Sequence, residues 1–166
     1  MAEAKVLDIL KGAILLEKKG KVFYEKTAAQ TESAAVREVF ETMAKEEDHH
    51  VEILTNQFES YRKNGRLAAL KYNASPEPVS NAVLTRQIRD EIHASSYEAA
   101  AISAAMAMED KAVAYYSGRA HATDDAEEKR LYEWLAIWEK THLQFLSDID
   151  KELQQNVWYD NQFWPM

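Results

Sequence analysis

Apolar residues recur along this chain at helical spacing. Val6, Ile9/Leu10, Ala13, Leu16, Gly20, Tyr24 and Ala28 mark a first helix over residues 4–30. Thr31-Glu32-Ser33 makes a turn, and Ser33 is suited to cap the helix that follows. That second helix, over roughly 34–62, carries Phe40, Met43/Ala44, Val51, Leu54, Phe58 and Tyr61. From Arg62 to Asn81 the rhythm fails: Asn64-Gly65, Asn73, Ser75, Pro76, Pro78 and Ser80 mark a long connection, with a short helix from Val83 to Ile92. Ser95 and Glu98 read as the two ends of a capping box that opens a third helix running to about Ala122, with the stripe Ile102, Ala105, Ala112, Tyr116 and Ala120. Thr123-Asp124-Asp125 forms a second tight turn. A fourth helix over about 126–154 follows, with Leu131, Leu135, Trp138, Leu146, Ile149 and Leu153 on its apolar side. These elements predict an all-α fold, a four-helix bundle over residues 1–155 made of two antiparallel hairpins joined by a long crossover. Residues 156–166 form a tail holding Trp158, Tyr159, Phe163 and Trp164, too much apolar area to leave in water. It either packs on the bundle or a second subunit, or serves as a docking peptide.

Polar residues interrupt each stripe once. Glu17 lies in the first and Glu109 in the third. The second and fourth each hold Glu-x-x-His, whose two side chains share a helix face about 5–6 Å apart and can reach one metal ion. In the second helix both Glu46/His49 and Glu47/His50 fit that spacing. The apolar rhythm favours Glu47/His50 as the inward pair, with Glu46 pointing sideways and His49 at the surface. An internal repeat settles the register independently. Shifted by 92 residues, Ala13, Glu17, Tyr24, Phe40, Ala44, Glu47, His50 and Leu54 fall on Ala105, Glu109, Tyr116, Tyr132, Ala136, Glu139, His142 and Leu146, whereas Glu46 and His49 fall on Trp138 and Thr141. Glu17 and Glu47 stand about 15 residues either side of their turn, as do Glu109 and Glu139. At about 1.5 Å per residue, each pair reaches one level of its hairpin.

Composition narrows what such a layer can be. Four glycines and three prolines in 166 residues favour helix over sheet, and a net charge of −8 disfavours nucleic acid or an anionic membrane as partner. No run approaches the ~20 apolar residues of a membrane span. Val6 to Leu16 is broken by Asp8, Lys11 and Gly12, unlike a signal peptide, so the cytoplasm is the expected compartment. The chain has no cysteine, which rules out thiolate metal sites and cysteine nucleophiles. A lone glutamate in an apolar stripe is usually a boundary residue whose head reaches water, and a lone helical histidine a satisfied polar group. Four carboxylates and two imidazoles at one level of a core cannot all escape in that way, and unpaired they would repel at large desolvation cost. Two divalent cations balance the four negative charges. Carboxylate and imidazole donors suit iron or manganese, and zinc can occupy such a site adventitiously. Tyr24 and Tyr116, about two turns beyond Glu17 and Glu109, are placed either to hydrogen-bond ligand carboxylates or simply to pack in the core.

The pattern Glu17…Tyr24…Glu47-x-x-His50 and Glu109…Tyr116…Glu139-x-x-His142 resembles the rubrerythrin-like branch of the ferritin-like di-iron carboxylate superfamily, over roughly residues 5–155. The resemblance implies two iron ions per bundle, with Glu47 and Glu139 bridging, Glu17 and Glu109 terminal, and His50 and His142 each capping one iron. It also implies an oxidoreductase that acts on dioxygen or hydrogen peroxide, oxidises Fe²⁺, or both; iron binding or storage without turnover is the alternative. A structural bundle with a vestigial acidic core is the reading from another class. The rubrerythrin pattern has a further glutamate one turn past the third-helix ligand, where this chain has Ala112, and a cysteine-bound iron in a rubredoxin domain. Without cysteine, a separate protein is expected to donate electrons. The aromatic tail and long connection lead us to expect a homodimer or higher homo-oligomer.

Overall fold

The computed structural model describes residues 2–69, 82–93 and 96–159. Four long helices, α1 (Ala2–Gln30), α2 (Ala34–Asn64), α4 (Tyr97–Ala122) and α5 (Ala126–Tyr159), make up the bundle, and a short helix α3 (Ala82–Glu91) precedes the second hairpin. α1 pairs with α2 and α4 with α5 along their lengths, α3 packs on α5 and α2, and α1 meets α4 only sparingly. This is the expected ferritin-like arrangement of two hairpins. No helix among the described residues is long and apolar enough to cross a membrane.

Local chemistry places the helix ends. Ser33 caps α2 as expected, its hydroxyl oxygen accepting from the Val36 N–H at 3.1 Å. α2 closes on Gly65, whose φ of 66° lies in the left-handed region that glycine enters without a Cβ penalty, and whose N–H donates to the Tyr61 carbonyl. Asp125 caps α5 by accepting from the Glu127 and Glu128 N–H groups, both at 2.9 Å.

Two boundaries differ from the sequence reading. The N-cap of α4 is Ser96, which accepts from the Ala99 N–H; the expected cap, Ser95, lies outside the described residues. With the helix starting one residue later, Glu98 is free to accept from the Thr31 hydroxyl at 3.0 Å instead of closing a capping box. α5 runs past residue 154 to Tyr159, because no glycine or proline interrupts the chain between Ala126 and Trp164. Residues 70–81 of the long connection and residues 160–166 of the aromatic tail lie outside the described residues.

The turn at residues 31–33 gathers the crossover end of the molecule. Besides Glu98 on Thr31, the Ser33 hydroxyl donates to Glu91 at the end of α3 at 2.6 Å, and the same carboxylate accepts from the Ala35 N–H. Tyr97 donates to Gln30 at 2.7 Å. Inside the bundle, two apolar clusters lie one above the other. One holds Tyr24, Phe40, Met43, Ile88, Ile102, Phe145, Leu146 and Ile149; the other Leu10, Ala13, Leu54, Tyr116, Leu131, Tyr132 and Leu135. Between them, each long helix contributes the polar residues set inside its stripe. The 92-residue repeat is visible in the packing: Tyr24 stacks on Phe40 with ring centroids 5.7 Å apart, and Tyr116 on Tyr132 at 6.3 Å.

Because the Ser33 hydroxyl serves both the α2 N-terminus and Glu91, Ser33→Ala is expected to lower unfolding stability by about 1 kcal/mol, the usual cost of a lost N-cap. Urea denaturation of the two proteins side by side checks this; an unchanged midpoint and slope would show that the cap carries no stability here.

Candidate metal centre

The polar layer between the two clusters consists of Glu17 on α1, Glu47 and His50 on α2, Glu109 on α4, and Glu139 and His142 on α5, all buried. His50 Nδ1 lies 3.1 Å from Glu17 Oε2, 3.0 Å from Glu139 Oε1 and 3.8 Å from Glu47 Oε2. His142 Nδ1 lies 3.4 Å from Glu139 Oε2 and 3.7 Å from Glu109 Oε1. Two groups of four emerge, Glu17/Glu47/His50/Glu139 and Glu47/Glu109/Glu139/His142, each with its donor atoms within 4.8 Å of one another. Glu47 and Glu139 belong to both groups. His49, one residue from His50, is exposed.

Tyr24 and Tyr116 do more than pack. Tyr24 Oη donates to Glu109 and Tyr116 Oη to Glu17, so each phenol reaches across to the carboxylate of the opposite hairpin. Burial pushes both phenols well above the usual tyrosine value, and the facing carboxylates push them further, so each keeps its proton and acts as a donor. At Gly20, α1 passes directly over Glu47: an added Cβ would meet its Cδ at 3.2 Å. A cleft of about 430 Å³ between α1 and α4 reaches the layer, lined by Glu17, Gly20, Glu47, Glu109 and Ala112, with Lys19 and Lys111 also on its walls.

Two tests of fit for a metal pair come from the layer itself. Both oxygens of Glu139 and Nδ1 of His142 are buried with no hydrogen-bond partner among the described residues; the 3.0 Å approach of His50 Nδ1 to Glu139 lacks hydrogen-bond geometry. Unpaired donors in a dry core are the condition a cation relieves. The charge distribution points the same way. Burial, followed by the charge of Glu139, pushes Glu109 up to about 8 and Glu47 well above the carboxylate range. Burial alone would lower both imidazoles, yet the surrounding carboxylates raise them well above the usual histidine value. Glu139 resists its own burial because the two imidazoles hold it well below the usual range. Without metal, protons supply the positive charge that four carboxylates demand.

A family model described as rubrerythrin matches residues 8–149. The chain belongs to the rubrerythrin family. No curated protein and no solved structure matches it. Rubrerythrin-family membership suggests a di-iron carboxylate protein, and the buried Glu/His groups form a layer able to hold metal.

Reading the sequence missed Glu46. Although it projects sideways from α2, its carboxylate accepts hydrogen bonds from His142 Nε2 and, at 3.0 Å, from Trp138 Nε1. Burial pushes Glu46 up, but these donors hold it below its usual value. The repeat held a signal, since the position 92 residues after Glu46 is Trp138, one of its own partners.

The metal-free protein should depend on pH with a definite sign. Glu47, Glu109, His50 and His142 all bind protons more tightly folded than unfolded. The stability each contributes is present at low pH and lost as pH rises through its folded value. Glu139, already ionised in both states above its ordinary 4.5, adds no slope there. Metal-free protein is therefore expected to gain stability as pH falls from about 8 towards about 5, whereas metal-loaded protein, whose ligands must shed protons, shows the opposite trend. Thermal melts of both forms across that interval check the difference; parallel slopes would show that these groups do not share a buried site.

Proposed function

We propose that this protein is a di-iron oxidoreductase whose buried Glu/His layer holds a metal pair and which acts on hydrogen peroxide or dioxygen, oxidises ferrous iron, or both. The observation that carries the reading is the sharing of Glu47 and Glu139 between two four-donor groups, each completed by one glutamate and one histidine of a single hairpin. Glu47 and Glu139 would be shared by the two ions, with Glu17 and His50 holding one and Glu109 and His142 the other. A ferrous pair held by these residues would supply the two electrons that, with two protons, reduce hydrogen peroxide to two waters. Iron suits the mixed carboxylate and imidazole donors; manganese fits the same set.

The rest belongs to the chain. Tyr24 and Tyr116 orient Glu109 and Glu17 by donating to Oε1 of each, and Glu17 keeps its other oxygen against His50 Nδ1 at 3.1 Å. The apolar clusters above and below keep bulk water from the carboxylates. The cleft beside Gly20 and Ala112 gives a small oxidant its route. The absence of cysteine leaves re-reduction to a separate protein. Leu15 and Val22, one face of α1 and about half exposed, support a homo-oligomer in which a second copy covers them.

Glu47→Ala and Glu139→Ala are each expected to abolish binding of the metal pair, while His49→Ala retains it. Metal analysis after anaerobic iron loading reads this directly, and loss of iron in His49→Ala with retention in His50→Ala would shift the register by one residue. Stopped-flow absorbance of the ferrous protein mixed with O₂ or H₂O₂ tests the chemistry. Fast oxidation by either supports the enzyme; iron uptake with no faster oxidation than free ferrous ion would favour storage. Ala112→Leu, which fills the cleft, should slow oxidation by H₂O₂ several-fold without changing iron content.

A further inference from the structure

An imidazole that ligates metal through one nitrogen carries its proton on the other, and whatever accepts that proton sets the ring's orientation and strengthens it as a donor. The two histidines of this layer differ in that respect. Both turn Nδ1 inwards, His50 towards Glu17 and Glu139, His142 towards Glu109 and Glu139. Behind His142, Nε2 meets Glu46 Oε2, and a carboxylate can only accept, so the ring is the donor. The same oxygen receives the Trp138 indole N–H, which fixes the carboxylate in turn. Behind His50 no such group lies among the described residues. Its Nε2 is buried with no partner among the described residues, and the Trp138 ring stands against it at 5.2 Å and 90°. The repeat explains the contrast: Glu46 and Trp138 occupy corresponding positions, so one half carries a carboxylate where the other carries an indole.

We propose that Glu46 is a positioning residue acting through His142, and that it makes the metal position completed by Glu109 and His142 the tighter of the two. The carboxylate holds the Nε2–H, commits the ring to the tautomer with Nδ1 free, and aims that nitrogen at the shared glutamates. His50 receives no such help. The assignment rests on the dinuclear reading and adds an inequality between its halves.

Titrating the metal-free full-length chain anaerobically with Co²⁺, followed by visible absorbance and calorimetry, reads the two positions separately from any turnover. The wild-type chain is expected to bind two ions in two resolved steps. Glu46→Ala should weaken the tighter step about 10–100-fold and leave the weaker one unchanged. Glu46→Gln keeps an oxygen for both N–H donors but no charge, so it should weaken the same step less; it also serves if the alanine variant folds poorly. His142→Ala should remove the tighter step, and adding Glu46→Ala to it should change nothing further. In a His50→Ala background, Glu46→Ala should keep its full effect. Equal weakening of both steps, no weakening of either, or an undiminished Glu46 effect without His142 would overturn the assignment while two bound ions upheld the dinuclear reading. Fewer than two ions bound by the wild-type chain would overturn both.

Discussion

Charge in a dry layer governs this molecule. Four carboxylates and two imidazoles occupy one level of a helical bundle, sealed by an apolar cluster on each side. Such a layer cannot relax by sending its side chains to water, because the helices that carry them are otherwise committed to the core. It must be neutralised in place, by protons or by cations. The raised values of Glu47, Glu109, His50 and His142 are the protonic solution, and the two overlapping donor groups are the cationic one. Only the second leaves every carboxylate able to act as a ligand, so the fold and the site are coupled through electrostatics.

The layer also joins the hairpins. α1 and α4 touch only sparingly along their lengths, yet Tyr24 of α1 bonds Glu109 of α4, and Tyr116 of α4 bonds Glu17 of α1. These two crossed bonds tie together a pair of helices that the cleft beside Gly20 and Ala112 otherwise holds apart. The cleft between α1 and α4 therefore reaches the layer without crossing the interface within either hairpin. The phenols remain protonated because they are buried against carboxylates, which keeps the ties donor to acceptor over the working pH range.

Much of this architecture is legible in the sequence because helical period and internal repeat are independent signals that agree. The period placed Glu47 and His50 inside a stripe, and the repeat paired them with Glu139 and His142; either alone would have left Glu46/His49 open. The α4 cap lies one residue later than the capping-box pattern predicts, since Ser95 and Ser96 are both serines and only the backbone geometry at Ser96 decides between them. α5 extends beyond the end its apolar stripe predicts, because the stripe thins after Leu153 while no glycine or proline interrupts the helix there. Glu46 escaped for a different reason. A helical projection gives the direction of a side chain at its own helix, and Glu46 does point sideways; what it touches depends on where α5 lies and on the reach of a long side chain across the gap.

Where the two halves agree and where they differ forms a pattern in itself. The six inward Glu and His positions and the two phenols repeat. One step outward the halves part. Phe40 corresponds to Tyr132, whose buried hydroxyl has no partner among the described residues; Gly20 corresponds to Ala112; Glu46 corresponds to Trp138. At the surface, the Lys21–Asp48 ion pair of the first hairpin corresponds to Val113 and Lys140 in the second. Residues that face a common charge must satisfy it together, so neither half can change its inner ring without unbalancing the other. Residues behind that ring meet only their own surroundings and are free to diverge. A symmetric inner ring on unequal supports is thus what a repeated hairpin reaches when electrostatics constrains one layer and packing constrains the rest, and the inequality between His50 and His142 follows from it.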